Sequence, residues 1–149
     1  MKIDMEKEFA PYPDALELKS IGFDEPCLGL FSEDGSFLYA DVFSFREPYS
    51  PSEFKEGVDE GVCYINSEIL EELVTAPTFS QAFRFFRDKY ALFHSIVYLD
   101  DNSGDGEFSF EILNKKGNQQ QNGEYFEYNS YQEAELACLR KLIEIVKRK

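Results

Sequence analysis

The sequence has no tryptophan, and histidine, cysteine and basic residues are all scarce. It contains one histidine, three cysteines and 15 basic residues against 29 acidic ones. Because His94 is the only histidine, a metal site with two histidine ligands is excluded. Cys27, Cys63 and Cys138 are odd in number and far apart, unlike a C-x-x-C metal or redox pair. We interpret them as buried thiols.

Long apolar runs are also missing. The first residues, MKIDMEKEFAPYPD, hold no apolar run of signal-peptide length. No window of the sequence approaches the roughly 20 apolar residues that are needed to span a bilayer. We therefore expect a cytoplasmic protein that makes no contact with a membrane.

Negative charge is the most prominent feature of the composition. A net charge of -14 at pH 7 creates a field that repels phosphate backbones and anionic lipid headgroups. This charge disfavours direct binding to nucleic acid and favours a protein partner that carries a basic or apolar patch. The composition is 43% hydrophobic and 16% aromatic, which separates the chain from disordered acidic tails. Its 149 residues are the length of one ordinary domain, so we expect residues 1–149 to form a single domain.

Turn-forming residues divide the first half of the chain into a helix, a hairpin and a connector. PYPDALELKSIG predicts a short helix, since Pro13 suits a first helical turn and Gly22 is placed to end it. CLGLFSEDGSFLYADVFSF predicts two strands around Asp34 and Gly35, a favoured hairpin dipeptide. REPYSPSEFKEGVDEG is rich in proline, glycine and charge, which indicates an exposed connector. VCYIN is a candidate short strand, and SEILEELV is either a short helix or a strand extension.

The second half predicts two longer helices on either side of a meander. In TFSQAFRFFRDKYALF, aromatic residues recur at helical spacing and form one core-facing stripe: Phe79, Phe83, Phe86 and Tyr90. Phe85 lies outside this stripe and either widens the buried face or makes a contact elsewhere. FHSIVYLDD, EFSFEILN and EYFEY predict a three-stranded antiparallel meander. In its second strand we expect Glu107, Ser109 and Glu111 on the solvent-exposed face.

The last element, YQEAELACLRKLIEIVKRK, predicts a helix that begins with a capping box of Ser130 and Glu133. Two adjacent rows of this helix are expected to face the core: Tyr131, Ala134, Cys138, Leu142 and Ile145, with Leu139, Ile143 and Val146. The element order indicates an α+β domain, in which an antiparallel sheet of hairpin plus meander is covered by about three helices.

No stretch carries a catalytic or cofactor-binding signature. G-x-S-x-G, P-loop and G-x-G-x-x-G sequences are absent, so we expect no cofactor. DNSGDG matches the first half of an EF-hand loop, but its twelfth position is Ile112 instead of glutamate, so we interpret it as a turn and expect no metal site. These features favour a protein that is not an enzyme. The alternative is a small enzyme or ligand-binding domain that uses carboxylates with His94 or a cysteine.

Two sets of residues are candidates for a partner-binding surface. The first set lies in the connector and shares negative charge and expected exposure: Glu53, Glu56, Asp59 and Glu60. The second set is Tyr125 and Tyr128 beside the last loop, because tyrosine is favoured at protein interfaces. The sequence does not indicate an oligomeric state.

A further indication comes from three stretches, LKSIGFDEPCLGLF, APTFSQAFRFFRDKYALF and YQEAELACLRKLIEIVK. Together they cover about a third of the chain, and they resemble a family of short uncharacterised proteins from Bacteroides-type bacteria, their phages and mobile elements. The central motif often reads AFRWFR in that family, where this chain has Phe85. The resemblance implies a cytoplasmic accessory protein of phage or mobile-element type, in which the matching helices are a shared scaffold. It implies no catalytic residue.

Overall fold

The structure, a computed structural model, describes residues 5–39, 64–100, 106–120 and 127–148. The chain divides into two compact units, residues 1–78 and 79–149. Each unit combines helix with antiparallel strands, so the predicted α+β class is confirmed.

The first unit packs one helix against a three-stranded sheet. Helix α1 (Tyr12–Ser20) follows a 3-10 turn, and strands β1 (Gly29–Phe31), β2 (Phe37–Tyr39) and β3 (Val74–Ala76) pair antiparallel in the order β2-β1-β3. Pro13 lies in the first turn of α1, and Gly22 follows its last turn with a φ of 94°. The predicted helix is therefore confirmed. The predicted hairpin is confirmed for β1 and β2, and Gly35 takes the positive φ of 84° that its turn requires. Residues 40–45 of the predicted second strand lie outside the described ranges.

The sequence leaves SEILEELV open between a short helix and a strand extension, and strand β3 agrees with the second alternative only at Val74. The buried side chain of Asn66 donates to the carbonyl oxygen of Phe23 at 2.8 Å and accepts the N–H of Thr75 at 2.9 Å. Residues 67–73 of SEILEELV form turns instead of a helix, and the strand begins only at Val74. In the described part of VCYIN, Tyr64 forms a single bridge to Cys27.

The second unit packs two helices on a two-stranded antiparallel sheet. Helices α2 (Phe79–Tyr90) and α3 (Tyr131–Lys147) contact strands β4 (Leu92–Leu99) and β5 (Glu107–Asn114). On the other edge of β5, Tyr128 bridges Phe108 and Gln119 bridges Leu113. Residues 124–126 of the predicted third strand, EYFEY, lie outside the described ranges, and Gln119 precedes that stretch, so the three-stranded meander stays a prediction.

The aromatic stripe of α2 supplies much of the core of this unit. Phe83 and Phe86 are buried, and Phe85 is only 5% exposed, so it widens the buried face. Arg84 and Asp88 are exposed on the opposite side of the helix, as expected. Helix α2 is therefore amphipathic in the predicted orientation, with a broader apolar face than the stripe alone.

Helix α3 begins with the predicted capping box. Ser130 Oγ accepts the N–H of Glu133 at 3.2 Å, and the Glu133 carboxylate accepts the N–H of Asn129 at 3.1 Å. The prediction that Tyr131 faces the core is wrong: it is 45% exposed, because it is the first residue of α3. The edge contact with Phe108 covers only part of its ring. The rest of its row, Ala134, Cys138, Leu142 and Ile145, is buried.

One residue of β5 also differs from expectation. The alternating pattern predicts Ser109 on the solvent-exposed face, together with Glu107 and Glu111, but it is only 3% exposed. Ser109 lies opposite Val97 of β4, and its burial does not follow from the alternating pattern. Glu111 is exposed, as the alternating pattern predicts.

Candidate functional site

An open groove of about 610 Å³ lies along one flank of α3. Phe110 and Tyr128 line it from the sheet, and their rings stack with centroids 6.1 Å apart and an interplanar angle of 23°. Helix α3 contributes the remaining lining residues: Glu133, Leu136, Ala137, Arg140, Lys141 and Glu144. We call this feature the α3 groove.

Helical spacing explains why α3 presents these residues together. Glu133, Ala137, Arg140 and Glu144 follow one another at steps of four, three and four, which places them on one stripe of the helix. This stripe lies beside the buried row that contains Cys138. Ala137 has only a methyl group at the middle of the stripe, so its small side chain leaves the groove open.

Charges in the α3 groove are balanced, in contrast to the net charge of -14 of the whole chain. Two acidic and two basic side chains line it. Lys141 Nζ lies 3.4 Å from a carboxylate oxygen of Glu144, and Arg148 pairs with the same carboxylate. A charged segment of either sign therefore meets a compensating group at the rim of the groove.

Tyr128 is the described member of the predicted tyrosine set, and it lies in the α3 groove. Burial, and secondarily the neighbouring Cys138, raise the pKa of the Tyr128 hydroxyl above its usual value. The hydroxyl is therefore protonated at neutral pH. The backbone of Tyr128 is fixed by two hydrogen bonds with Phe108, at 2.7 and 2.8 Å.

Other predicted site residues lie outside the described ranges. They are Glu53, Glu56, Asp59, Glu60 and Tyr125, together with Cys63 and residues 101–105 of the turn DNSGDG. Their roles stay predictions.

His94 is half-buried on β4 and stacks on Phe83. The ring centroids are 3.7 Å apart, and the rings are within 13° of parallel. Burial, and secondarily the positive charge of Arg87, lower the pKa of His94 from 6.5 to about 4. The imidazole is therefore neutral at pH 7, and an aromatic ring covers one of its faces.

The two described cysteines are buried thiols, as expected. Burial, and secondarily the Glu135 carboxylate, raise the pKa of Cys138 well above its usual value. Because the thiolate is the reactive form of cysteine, Cys138 lacks the environment of an activated nucleophile. Within the described residues, no three His, Cys, Asp or Glu side chains are grouped so as to hold a metal ion.

The sequence patterns identify Tyr128 as a candidate binding residue, but they do not identify the residues that α3 contributes to the groove. The missed residues are Leu136, Ala137, Arg140 and Lys141. A signal is present, because Leu136 and Ala137 are apolar residues outside the two buried rows of α3. That signal predicts a helix flank only partly covered by the core, but it does not reveal which part of the sheet lies beside it.

Comparison of the chain with known protein families, with curated proteins and with solved structures finds no match. None of the helices in the described residues is long and apolar enough to cross a membrane. The α3 groove and the charge pattern are therefore the observations that bear on function.

Proposed function

We propose that this chain is a non-enzymatic protein-interaction module whose α3 groove receives an apolar anchor of a protein partner. The observation that carries the proposal is the composition of the groove, where stacked aromatic rings lie beside charged helix residues. Aromatic residues and arginine are enriched in the centres of protein interfaces, and the groove holds Phe110, Tyr128 and Arg140.

The negative charge of the chain supports a partner with basic residues around that anchor. A net charge of -14 accelerates the approach of a basic protein, whereas the balanced groove admits the anchor without net repulsion. Charge and groove therefore have separate roles. The charge affects the rate of association, and the groove affects the lifetime of the complex.

The chemistry of the reactive side chains supports a non-enzymatic role. His94 is stacked on Phe83 and Cys138 is a buried thiol, so neither has the setting of a catalytic base or nucleophile. The family resemblance of the sequence extends the proposal to a cytoplasmic accessory protein of phage or mobile-element type. Helices α2 and α3 lie within two of the resembling stretches and would be its scaffold.

A displayed library of random peptides tests the groove. We expect the wild-type chain to enrich peptides that combine an aromatic or aliphatic residue with Lys or Arg. Ala137→Arg fills the groove and adds positive charge, so it should weaken the enriched peptides by at least about tenfold. Gln132→Arg adds the same side chain at an exposed position of α3 outside the groove and should leave binding unchanged. Absence of enrichment, or equal binding by Ala137→Arg, contradicts the proposal.

The charge component has its own test on the enriched peptides. The variant reverses four acidic residues to Lys: Glu53, Glu56, Asp59 and Glu60. Exposed charges are screened beyond a Debye length of about 8 Å at physiological salt, so the wild-type association rate should fall as salt rises. The variant should associate more slowly and with a weaker salt dependence, while its dissociation rate changes little. Unchanged association would mean that the acidity serves only solubility.

A further inference from the structure

Strand β4 lies at the edge of the sheet in the second unit. Among the described residues it pairs with β5 alone, whereas β5 has bridges on both of its edges. Natural edge strands are usually protected by short length, Lys, Pro or a bulge. Strand β4 has eight residues, LFHSIVYL, without Lys, Arg, Asp, Glu, Pro or Gly. Strand β4 is therefore not short, and it contains none of the residues that usually protect an edge strand from pairing.

Hydrogen bonds of β5 reveal which backbone groups of β4 face outward. Phe108 exchanges both of its backbone hydrogen bonds with Tyr128 on the far side, at 2.8 and 2.7 Å. Tyr98 lies opposite Phe108, so its own N–H and C=O point away from β5. Ile112, opposite His94, also accepts a bond from the far side, at 2.9 Å. By alternation, the groups directed to the open edge belong to His94, Ile96 and Tyr98.

Two large side chains of β4 are exposed beside this edge. Phe93 is 41% exposed and Tyr98 is 56% exposed. They lie on opposite faces of the strand, because side chains alternate along it. A strand that pairs with this edge would cover part of both side chains. Its backbone would also form hydrogen bonds with the outward N–H and C=O groups of β4.

The sequence of β4 is suited to pairing with itself. In an antiparallel pair about a twofold axis, opposite residues have their side chains on the same face, so the axis must lie between one residue and the same residue of the second copy. An axis at Ser95 or at Ile96 gives the longest overlap, about seven of the eight residues. In these two registers Phe93 faces Val97 or Leu99 of the second copy. Each register therefore places the exposed phenylalanine against an apolar side chain.

Charge favours the same contact. Each chain carries a net charge of -14, so two copies repel one another wherever acidic surfaces approach. Strand β4 carries no Asp, Glu, Lys or Arg, and contact along it avoids opposing carboxylates. We infer that the protein forms a twofold-symmetric dimer in which the outer edge of β4 pairs antiparallel with β4 of a second copy. This dimer is independent of the α3 groove.

Sedimentation equilibrium of the full chain, from about 1 µM to about 1 mM, tests the inference. The mass is expected to rise from 17.3 kDa towards twice that value. Ser95 is exposed, and Ser95→Lys and Ser95→Glu each place like charges beside the axis. Each should weaken self-association by at least about tenfold. Ser67→Lys adds the same charge at an exposed position outside β4 and should leave the dimer intact.

Mixing the two Ser95 variants places opposite charges across the axis, so the mixture should recover a dimer that neither variant forms alone. Hydrogen exchange adds a residue-level test. With rising concentration, the amides of His94, Ile96 and Tyr98 should become protected, whereas those of Ser95 and Val97, which face β5, should not change. A wild-type chain that stays monomeric throughout overturns the inference. So does a dimer that is insensitive to charge at Ser95, or one formed without the alternating protection.

Discussion

Acidification is expected to destabilise the protein through His94, whose neutral imidazole is half-buried and stacked on Phe83 in the folded chain. The neutral imidazole lies 3.7 Å from the Phe83 ring, centroid to centroid, and Arg87 adds positive charge nearby. Burial and this charge both disfavour the imidazolium in the folded chain. The unfolded chain has neither effect, so it binds the proton more readily.

The lowered pKa of His94 determines how much stability is lost and whether the loss occurs at low or at high pH. A fall from 6.5 to about 4 corresponds to about 3 kcal/mol. Because the ring is only half-buried and solvent screens part of the interaction, we expect about 1–2 kcal/mol. The folded-state pKa is the lower one, so this contribution is fully present above pH 6.5 and is lost as the pH falls towards about 4.

His94→Phe isolates this contribution, since it keeps an aromatic ring against Phe83 and removes the titrating group. Urea unfolding of both proteins at about pH 7 and about pH 4.5 should show that the wild type loses about 1–2 kcal/mol more than the variant. The carboxylates titrate in both proteins and cancel in the difference. An NMR titration of the single imidazole measures its pKa directly. A value near 6.5, or equal losses in the two proteins, would refute the stacked and buried assignment.

Three further predictions concern the scaffold and the turn. Phe86→Ala should destabilise the protein by about 3–5 kcal/mol and Arg84→Ala by less than about 0.5 kcal/mol in chemical denaturation, and the reverse ranking contradicts the faces of α2. Ala91 ends α2 with a φ of 52°, so Ala91→Gly should stabilise by about 0.5 kcal/mol, and a lower melting temperature would count against that strain. Calcium should bind no tighter than about millimolar, and a micromolar calorimetric affinity lost in Asp105→Ala would refute the turn interpretation.

Long periodic segments are predicted well from the sequence, because their own patterns contain enough information. The aromatic stripe predicts α2, and the capping residues Ser130 and Glu133 predict the start of α3. The apolar alternation of EFSFEILN predicts β5 with its bounds. In each case the periodicity extends over at least two turns or several residue pairs, so one secondary structure fits it clearly better than another.

Short or terminal features are predicted poorly, because distant contacts place them. Strand β3 has three residues, and the side chain of Asn66 holds it. Tyr131 follows a buried row by spacing, but its position at the start of α3 leaves it exposed. Ser109 is buried, although alternation along β5 predicts that it shares an exposed face with Glu111. The expectation of a single domain over residues 1–149 stays a prediction.

The candidate site is predicted only in part, for a related reason. The interface preference of tyrosine indicates Tyr128, and the structure places it in the α3 groove. The helical residues of the groove become a site only because Phe110 and Tyr128 lie beside Ala137, and this proximity is a property of the fold. A sequence pattern within α3 alone cannot contain it.

An amide NMR titration of the isotope-labelled chain with a library-selected peptide tests the central claim most directly. The account predicts that the largest shift changes occur at the groove residues Tyr128, Ala137 and Arg140, and that Ala137→Arg abolishes them while Gln132→Arg does not. Shift changes confined to β4 or to the first unit, with none along α3, would contradict the claim that the α3 groove binds the partner.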